Sequence, residues 1–263
     1  MKLPLFQVDA FSHQVFGGNP AAVCPLDNWL PDALMQSIAA EINLSETAFF
    51  VKSGNAYELR WFTPLTEVDL CGHATLATAF VIFSEPDLAR QSVVFNTRSG
   101  KLTVEKKGDW LYMDFPSMPP VADLVALDEA LGVKPQAVLA AGAYHFAVLE
   151  NEQQVRELKP DLDAVSRLER MAVIVTAPGG NCDFVSRVFG PKVGIPEDPV
   201  TGSAHCLLVP YWAARLHKQE LFARQVSKRG GELGCKLNGD RVEIAGQAVM
   251  FLRGEINLPN GNY

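Results

Sequence analysis

The chain has 263 residues, enough for one large domain or two of ordinary size, since domains usually run about 100 to 150 residues. With 48% hydrophobic and 20% charged residues and no low-complexity tract, the composition predicts a chain that folds throughout. The net charge of −7 and the absence of a Lys/Arg run argue against a nucleic-acid partner, which is held through contacts to phosphates.

Signals for a membrane or for export are also absent from the sequence. No apolar stretch reaches about 18 residues, and Asp9 interrupts the N-terminal segment before a signal peptide could form. Five cysteines without CxxC spacing indicate reduced thiols, most of them small core residues, and not a disulfide framework. We therefore expect a cytoplasmic protein with no membrane partner.

The first half of the chain alternates helix and strand signals. Leu30, Leu34, Ile38 and Ile42 recur at four-residue spacing, with Pro31 in a favourable first-turn position, which predicts an amphipathic helix over 30–43. The other predicted elements of this half are a strand over 46–51, a strand over 57–62, a helix from Gly72-His73 to about Phe83, and antiparallel strands within 92–115.

The second half repeats this order of elements. Its predicted elements are a short helix over 124–131, strands over 144–149, 172–177 and 182–189, an apolar helix that ends near Leu216, and strands within 222–257.

Two segments before and within the apolar helices match each other. Cys71-Gly72-His73-Ala74 and Thr201-Gly202-Ser203-Ala204 lie 130 residues apart, as do Glu67 and Glu197 in the loops before them. A period this long excludes a solenoid and indicates a duplicated domain whose halves face one another. We predict an α+β fold with an N-terminal lobe over 1–115, whose closing strand could come from the C-terminus, a C-terminal lobe over 116–263, and an active site in the cleft between them.

Each half places a glycine at a helix start just after an acidic loop. Unpaired N–H groups and a partial positive charge gather there, so Gly72 and Gly202 are candidates to hold a substrate carboxylate or an enolate-like intermediate. The alternative is that both glycines are only cap and turn residues.

Glu46 and His73 are the candidates for proton transfer in the first half. Glu46 opens an apolar strand beside Phe49 and Phe50, where desolvation would let a carboxyl hold its proton as an acid/base requires, although most acids at strand edges are simply solvated. The helix start should lower the pKa of His73 and favour a neutral imidazole that passes protons on. A capping or packing histidine is the alternative.

Asp198 and Ser203 are the corresponding candidates in the second half. Asp198 could orient His73 across the cleft or carry a second proton, and Ser203 occupies the place of His73, but either residue could instead be a helix cap. His205 lies two residues further along the helix and points elsewhere, so it is interpreted as structural. The same interpretation applies to the remaining histidines, His13, His145 and His217.

Cysteine and metal chemistry are poorly supported by the spacing. Cys71 lies two residues from His73, and residues two apart on a helix do not face each other, which argues against a Cys–His nucleophile pair. Cys71, His73, Asp198 and His205 include potential zinc ligands but show none of the usual ligand spacings, so no metal is predicted.

Four segments in order along the chain resemble the signature segments of the PhzF-like family of phenazine biosynthesis. These segments are Gly17-Gly18-Asn19-Pro20-Ala21-Ala22-Val23, Asn43-Leu44-Ser45-Glu46-Thr47, Cys71-Gly72-His73-Ala74-Thr75 and Glu197-Asp198-Pro199-Val200-Thr201-Gly202-Ser203-Ala204.

The resemblance implies a diaminopimelate-epimerase-like fold of two lobes, each with β structure around a central helix, a homodimer, and no cofactor. The family's namesake isomerises trans-2,3-dihydro-3-hydroxyanthranilate. By resemblance, Glu46 would move a proton between carbons of a small carboxylate-bearing substrate, supported by His73, Asp198 and Ser203. Substrate binding would fall to Gly72, Gly202, Ser45 and Asn19.

Two other functions stay open at this point. Epimerases of the same superfamily use one thiol on each side of the substrate carbon, but Thr201 stands where the second thiol would be, so an epimerase or racemase would need another base opposite Glu46. A non-catalytic interaction protein that keeps the same scaffold is the third possibility. The substrate itself cannot be predicted from the fold.

Overall fold

The computed structural model describes residues 1–84 and 90–258, which divide into two compact units. The first unit consists of the described residues of 1–114 and of those from 245 onward, and the second spans Phe115–Ile244. The C-terminal strand therefore belongs to the first unit.

The first unit contains two helices, and all but one of its strands lie before residue 117. Its strands are β1 (Lys2–Ala10), β2 (Asn19–Leu26), β3 (Glu46–Ser53), β4 (Ala56–Phe62), β5 (Glu67–Val68), β6 (Ser92–Thr97), β7 (Gly100–Lys107), β8 (Trp110–Pro116) and, from the C-terminus, β18 (Ala248–Asn257). Its helices are α1 (Asp32–Ile42) and α2 (Gly72–Phe83).

The second unit has the same kind of content. Its strands are β9 (Val121–Ala122), β10 (Ala137–Ala141), β11 (Tyr144–Val148), β12 (Ala172–Pro178), β13 (Phe184–Gly190), β14 (Ile195–Asp198), β15 (Glu220–Gln225), β16 (Gly231–Asn238) and β17 (Arg241–Gly246). Its helices are α3 (Asp128–Leu131), α4 (Glu152–Glu157), α5 (Leu162–Ser166) and α6 (Gly202–Leu216), with a 3₁₀ turn at Pro191–Val193.

The strand pairings of the two units match one for one. In the first unit β18, β1 and β2 pair antiparallel, β2 and β3 parallel, β3 and β4 antiparallel, β4 and β6 parallel, and β6 and β7 antiparallel. In the second unit the same sequence of pairings runs through β9, β10, β11, β12, β13, β15 and β16. This match confirms the two pseudo-symmetric lobes predicted from the repeat.

Each unit encloses one apolar helix. Nine of the 12 residues of α2 and ten of the 15 residues of α6 are buried. A helix that is apolar around its whole circumference is one that is covered on all sides. The α+β class and the central helix of each lobe were therefore predicted correctly, and both helices begin at the predicted glycine, Gly72 or Gly202.

An Arg–Glu pair recurs before each central helix. Arg60 on β4 makes two hydrogen bonds of 2.7 Å to the carboxylate of Glu67 on β5, and its guanidinium lies over the ring of Phe62. Arg187 on β13 makes bonds of 2.7 and 2.9 Å to Glu197 on β14 and lies over Phe189. These bidentate pairs tie each acidic segment to the strand before it.

Several predicted boundaries were wrong for local reasons. The first helix begins at Asp32, because Pro31 has an extended conformation and acts as the N-cap rather than as a first-turn residue. The helix predicted over 124–131 is confined to Asp128–Leu131, and the side chain of Leu124 before it is fully exposed. The predicted strand at 182–189 begins at Phe184, because Asp183 instead accepts hydrogen bonds from Lys218 and from the backbone of Phe222.

Within residues 1–84 and 90–258, every helix is too short or too polar to cross a membrane.

Candidate active site

Glu46 and His73 meet in the first unit. Glu46 is the first residue of β3 and His73 the second residue of α2. Glu46 Oε2 lies 3.2 Å from His73 Nε2, and both side chains are largely buried. The two atoms are close without hydrogen-bond alignment, and neither makes another hydrogen bond within the described residues. Both atoms therefore keep hydrogen-bonding capacity that a substrate could use.

The chain reaches Glu46 through a sharp helix end. Asn43 closes α1 with φ of 53° and ψ of 33°, the left-handed conformation that asparagine tolerates better than most residues. Leu44 and half-buried Ser45 follow, and β3 starts at Glu46. The asparagine of this Asn-Leu-Ser-Glu motif thus has a conformational role, because it ends α1 and lets β3 begin at Glu46.

The other edge of the His73 ring faces two polar groups. Asn19 Nδ2 lies 3.3 Å from Nδ1, and Cys71 Sγ lies 3.4 Å from the same nitrogen. In the neutral ring, the Asn19 amide nitrogen donates to Nδ1 and the ring proton lies on Nε2, toward Glu46, whereas the protonated ring carries a proton on both nitrogens. The ring therefore stands between the acid on one edge and the amide and thiol on the other.

Gly18 explains how Asn19 reaches this position. It has φ of 62°, and a Cβ at this residue would lie 2.1 Å from the carbonyl oxygen of Ala10. Only glycine fits both requirements. The tight connection between β1 and β2 places Asn19, with a fully buried side chain, as the first residue of β2.

The predicted direction of the His73 pKa was wrong. Burial alone lowers the pKa of His73, but Cys71 and Glu46 outweigh it and hold the pKa well above its ordinary value of 6.5. The sequence argument considered only the helix start, which favours the neutral ring. The carboxylate 3.2 Å away favours the protonated ring more strongly.

The argument that Cys71 and His73 cannot face each other was also wrong. Cys71 is the N-cap of α2, with φ of −145° and ψ of 109°, so helical spacing does not apply to it. Burial raises the pKa of the Cys71 thiol, and the Glu46 carboxylate raises it further. The contact is therefore real, but at neutral pH the thiol keeps its proton and is weakly nucleophilic, so the negative charge that favours a protonated His73 there is that of Glu46.

Glu46, Cys71 and His73 are also the one group among the described residues that could hold a metal ion, with ligand atoms within 4.8 Å of one another. Cys71 approaches Nδ1, however, whereas Glu46 approaches Nε2. A chelated ion needs both groups to converge on the same ring nitrogen. The geometry fits an imidazole bridging two groups better than a metal site.

In the second unit, half-buried Asp198 and buried Thr201 lie in the turn before α6. Thr201 is the N-cap of α6, as Cys71 is of α2, and its hydroxyl donates to Asp198 Oδ2 over 2.5 Å. Fully buried Gln225 on β15 accepts from the Thr201 N–H at 2.9 Å and donates to the Asp198 carbonyl at 2.7 Å. Asp198 thus bonds to the N-cap residue and is held in place from β15.

Ser203 occupies the place of His73 in the second unit, one residue after buried Gly202. Its hydroxyl lies 2.7 Å from the hydroxyl of Tyr144, the first residue of β11. The second unit therefore has a contact between two hydroxyls where the first unit has the contact between the His73 imidazole and the Glu46 carboxylate.

Two of the remaining histidines, His205 and His145, make contacts that fit the structural interpretation. His205 is fully buried, its Nδ1 lies 2.9 Å from the Thr201 carbonyl, and burial lowers its pKa to about 4. His145 lies 2.8 Å from Asp123 on the inside of β11. The cysteines are all free, and burial raises the pKa of Cys24 and Cys206 to about 12.

A cavity of about 270 Å³ lies in the first unit at the far end of α2. It is lined by Phe80, Phe83, Lys106, Leu111, His13 and Val249, among others, and by none of the predicted site residues. Phe83 lies ten residues from His73, or roughly 15 Å along a helix.

Sequence reasoning missed Tyr144, Gln225 and the two arginines. The arginines had a visible signal, because Arg60-Trp61-Phe62 and Arg187-Val188-Phe189 share the same Arg-x-Phe pattern and begin seven and ten residues before Glu67 and Glu197. Tyr144 and Gln225 come from strands far from the motifs, and no local pattern marks them.

Comparison with known proteins identifies the family. The family model described as phenazine biosynthesis-like protein, PhzC-PhzF, matches residues 8–254. A curated relative from Pseudomonas aeruginosa, named an uncharacterized isomerase, is 53% identical over 98% of this chain and 100% of its own length.

Solved structures give the same result. A crystal structure of a PhzF-family phenazine biosynthesis protein from Enterococcus faecalis shares 50% identity, covers 98% of this chain and 100% of its own, and superposes with a TM-score of 0.96. A hydroxyproline epimerase from Agrobacterium vitis, at 10% identity and a TM-score of 0.66, covers 97% of this chain and 92% of its own and shares the fold alone. The names of the close relatives support the predicted isomerase class over a non-catalytic scaffold. The chain belongs to the phenazine biosynthesis-like, or PhzC-PhzF, family.

Proposed function

We propose that this isomerase moves a proton between carbons of a small carboxylate-bearing substrate, with Glu46 as the acid/base and without a cofactor. The observation that carries the proposal is the buried contact of 3.2 Å between Glu46 Oε2 and His73 Nε2, in which neither atom is committed to another hydrogen bond of the described residues. A carboxylate beside a protonated imidazole can take up a proton and return it.

The proposed steps balance in protons. The Glu46 carboxylate takes a proton from one substrate carbon, and the electron pair left behind spreads onto substrate oxygen or into a double bond. The same carboxyl then returns a proton to another carbon. His73 supports this exchange, since its raised pKa keeps a proton beside Glu46. The N–H group at Gly72 would bind the substrate carboxylate, and the roles that the resemblance implies for Gly202, Asp198 and Ser203 stay predictions.

An epimerase is the second candidate, because Asp198 offers another carboxylate. A two-thiol version is not supported: Thr201 stands in the second position, and its hydroxyl is engaged by Asp198. The homodimer, the cytoplasmic location and the binding roles of Ser45 and Asn19 stay predictions.

The test is a metabolite screen by mass spectrometry that compares the wild-type protein with Glu46→Gln. We expect a compound that only the wild type converts, with turnover at least about 100-fold lower in the variant, the scale expected when a general acid/base is lost. Glu41→Gln, which changes an exposed acid on α1, is the matched control and should leave turnover unchanged.

Conversion of the compound at the same rate by Glu46→Gln would remove Glu46 from the mechanism. Inversion at one carbon, instead of transfer between two, would assign the protein to the epimerases.

A further inference from the structure

Tyr144 contacts a predicted site residue without belonging to any sequence motif. Its hydroxyl lies 2.7 Å from Ser203 Oγ, at the start of α6. We infer that Tyr144 is a positioning residue that fixes the Ser203 hydroxyl as a hydrogen-bond donor to the substrate. This inference rests on the proposed function and adds a residue from β11 to it.

The internal repeat shows which residue of the second unit stands where Glu46 stands in the first. Arg60 and Arg187 are equivalent, because each pairs with the glutamate of the acidic segment and lies on the corresponding strand. Arg60 pairs with Phe49 on β3, and Arg187 pairs with Val175 on β12. Glu46 and Ala172 each lie three residues before that partner. Each is the first residue of its strand. The second unit therefore has alanine in the position of the acid.

In the second unit, the polar side chain at this position of the sheet comes from the neighbouring strand. In the parallel pair β2–β3, Ala21 lies beside Glu46, and in the equivalent pair β11–β12, Tyr144 lies beside Ala172. In both units one alanine and one polar side chain share this level of the sheet, and the polar side chain contacts the second residue of the central helix, which is Ser203 in the second unit. Tyr144 is thus the counterpart of the acid, supplied from the adjacent strand.

The chemistry of two hydroxyls sets the direction of their hydrogen bond. A hydroxyl has one proton to donate and can accept through its lone pairs. A phenol, with a pKa near 10, is a stronger acid than an aliphatic alcohol and is the better donor. Tyr144 therefore donates to Ser203 Oγ, which leaves the single Ser203 proton free to donate to a substrate oxygen where negative charge develops.

The experiment is a double-mutant cycle on the compound that the wild type converts, with Tyr144→Phe, Ser203→Ala and the combined variant. Tyr144→Phe keeps the ring and should lower kcat by about 5- to 10-fold with little change in KM, the scale of one hydrogen bond used in the transition state. The combined variant should be no slower than Ser203→Ala, because Tyr144 acts through Ser203.

Tyr211→Phe is the matched control. It removes a phenol hydroxyl of the same unit whose recorded partner is Arg215, and it should leave kcat unchanged. Multiplying losses in the combined variant, or a loss in Tyr211→Phe equal to that in Tyr144→Phe, would mean a structural role and would overturn the inference.

The outcome for Tyr144 can be separated from that for Glu46. If Glu46→Gln loses turnover but the losses in the cycle multiply, only the role of Tyr144 is contradicted. If Glu46→Gln keeps full turnover but the cycle is non-additive, only the role of Glu46 is contradicted. The same cycle is measured on the affinity for anthranilate, a carboxylate-bearing probe. A wild-type protein that neither converts a compound nor binds anthranilate would contradict both.

Discussion

The two units share one architecture but present different chemistry at the start of the central helix. In the first unit, His73 lies between a carboxylate and a thiol, all of which can ionise. In the second unit, the equivalent Ser203 pairs with the neutral hydroxyl of Tyr144. The repeat thus fixes where these side chains stand, and a few substitutions decide whether the position holds ionisable groups or hydroxyls.

The Arg–Glu pairs differ in how many other partners they have. Glu67 accepts from Arg60 and also contacts Arg98 at 2.8 Å, and Arg60 donates in addition to the exposed Asp32 at 2.8 Å. Glu197 pairs with Arg187, whose guanidinium also donates to the carbonyls of Val155 and Leu158 at 3.0 and 2.8 Å. Loss of Arg187 should therefore lower the free energy of unfolding more than loss of Arg60.

The largest stability effect is expected from Arg187→Met. It leaves the mostly buried Glu197 carboxylate without its arginine and should lower the free energy of unfolding by about 3 kcal/mol. Arg60→Met should cost about half as much, because Arg98 remains beside Glu67. Urea midpoints at pH 7 measure both changes.

Arg156→Met is the control for these two variants. It breaks an ion pair with Glu152 in which the arginine is 50% exposed, and such pairs contribute about 0.5 kcal/mol or less. Equal losses for Arg60→Met and Arg187→Met would contradict the difference drawn between the units.

A second effect concerns the ionisation of His73. Glu46→Gln removes the carboxylate that faces Nε2, so the pKa of His73 should fall from its raised value while burial continues to lower it. NMR titration of the imidazole resonances measures the change. His205 of the second unit, with a pKa of about 4, should not move.

The raised pKa also links His73 to stability. Its contribution is fully present below the unfolded pKa near 6.5 and is lost as the pH rises through the higher folded pKa. The free energy of unfolding should therefore fall over that range in the wild type, and His73→Gln should remove this part of the fall. An identical pH dependence in His73→Gln would place the His73 pKa near its ordinary value.

The smallest effect is expected from Cys71→Ala. Because burial and Glu46 raise the pKa of the thiol, Cys71 is not a base at neutral pH, and turnover should change by about threefold at most. Cys206→Ala, on α6, serves as the control for loss of a buried thiol. A loss near 100-fold in Cys71→Ala alone would favour thiol chemistry of the epimerase kind.

Features with a strong local pattern were predictable from the sequence. The glycines that start α2 and α6, the long β-rich segments and the repeat itself all follow from spacing and turn residues. The short helices α4 and α5, of six and five residues, were missed because they contain too few turns to show a helical period.

Contacts across strands were not predictable in the same way. The charge state of His73 depends on Glu46, which is 27 positions earlier in the chain, and Tyr144 reaches Ser203 across 59 positions. Cys71 was misjudged because helical spacing was applied to an N-cap residue, whose backbone is extended. Such contacts come from the register of the sheet, which no single segment encodes.

The most direct test is the turnover of the screened compound in D₂O by the wild type and by Glu46→Gln, with deuterium in the product located by NMR. Because a carboxyl beside a protonated His73 exchanges its proton with solvent, we predict deuterium at one product carbon with the wild type, and neither conversion nor label with the variant. Product formed and labelled equally by Glu46→Gln would contradict the assignment of proton transfer to this residue.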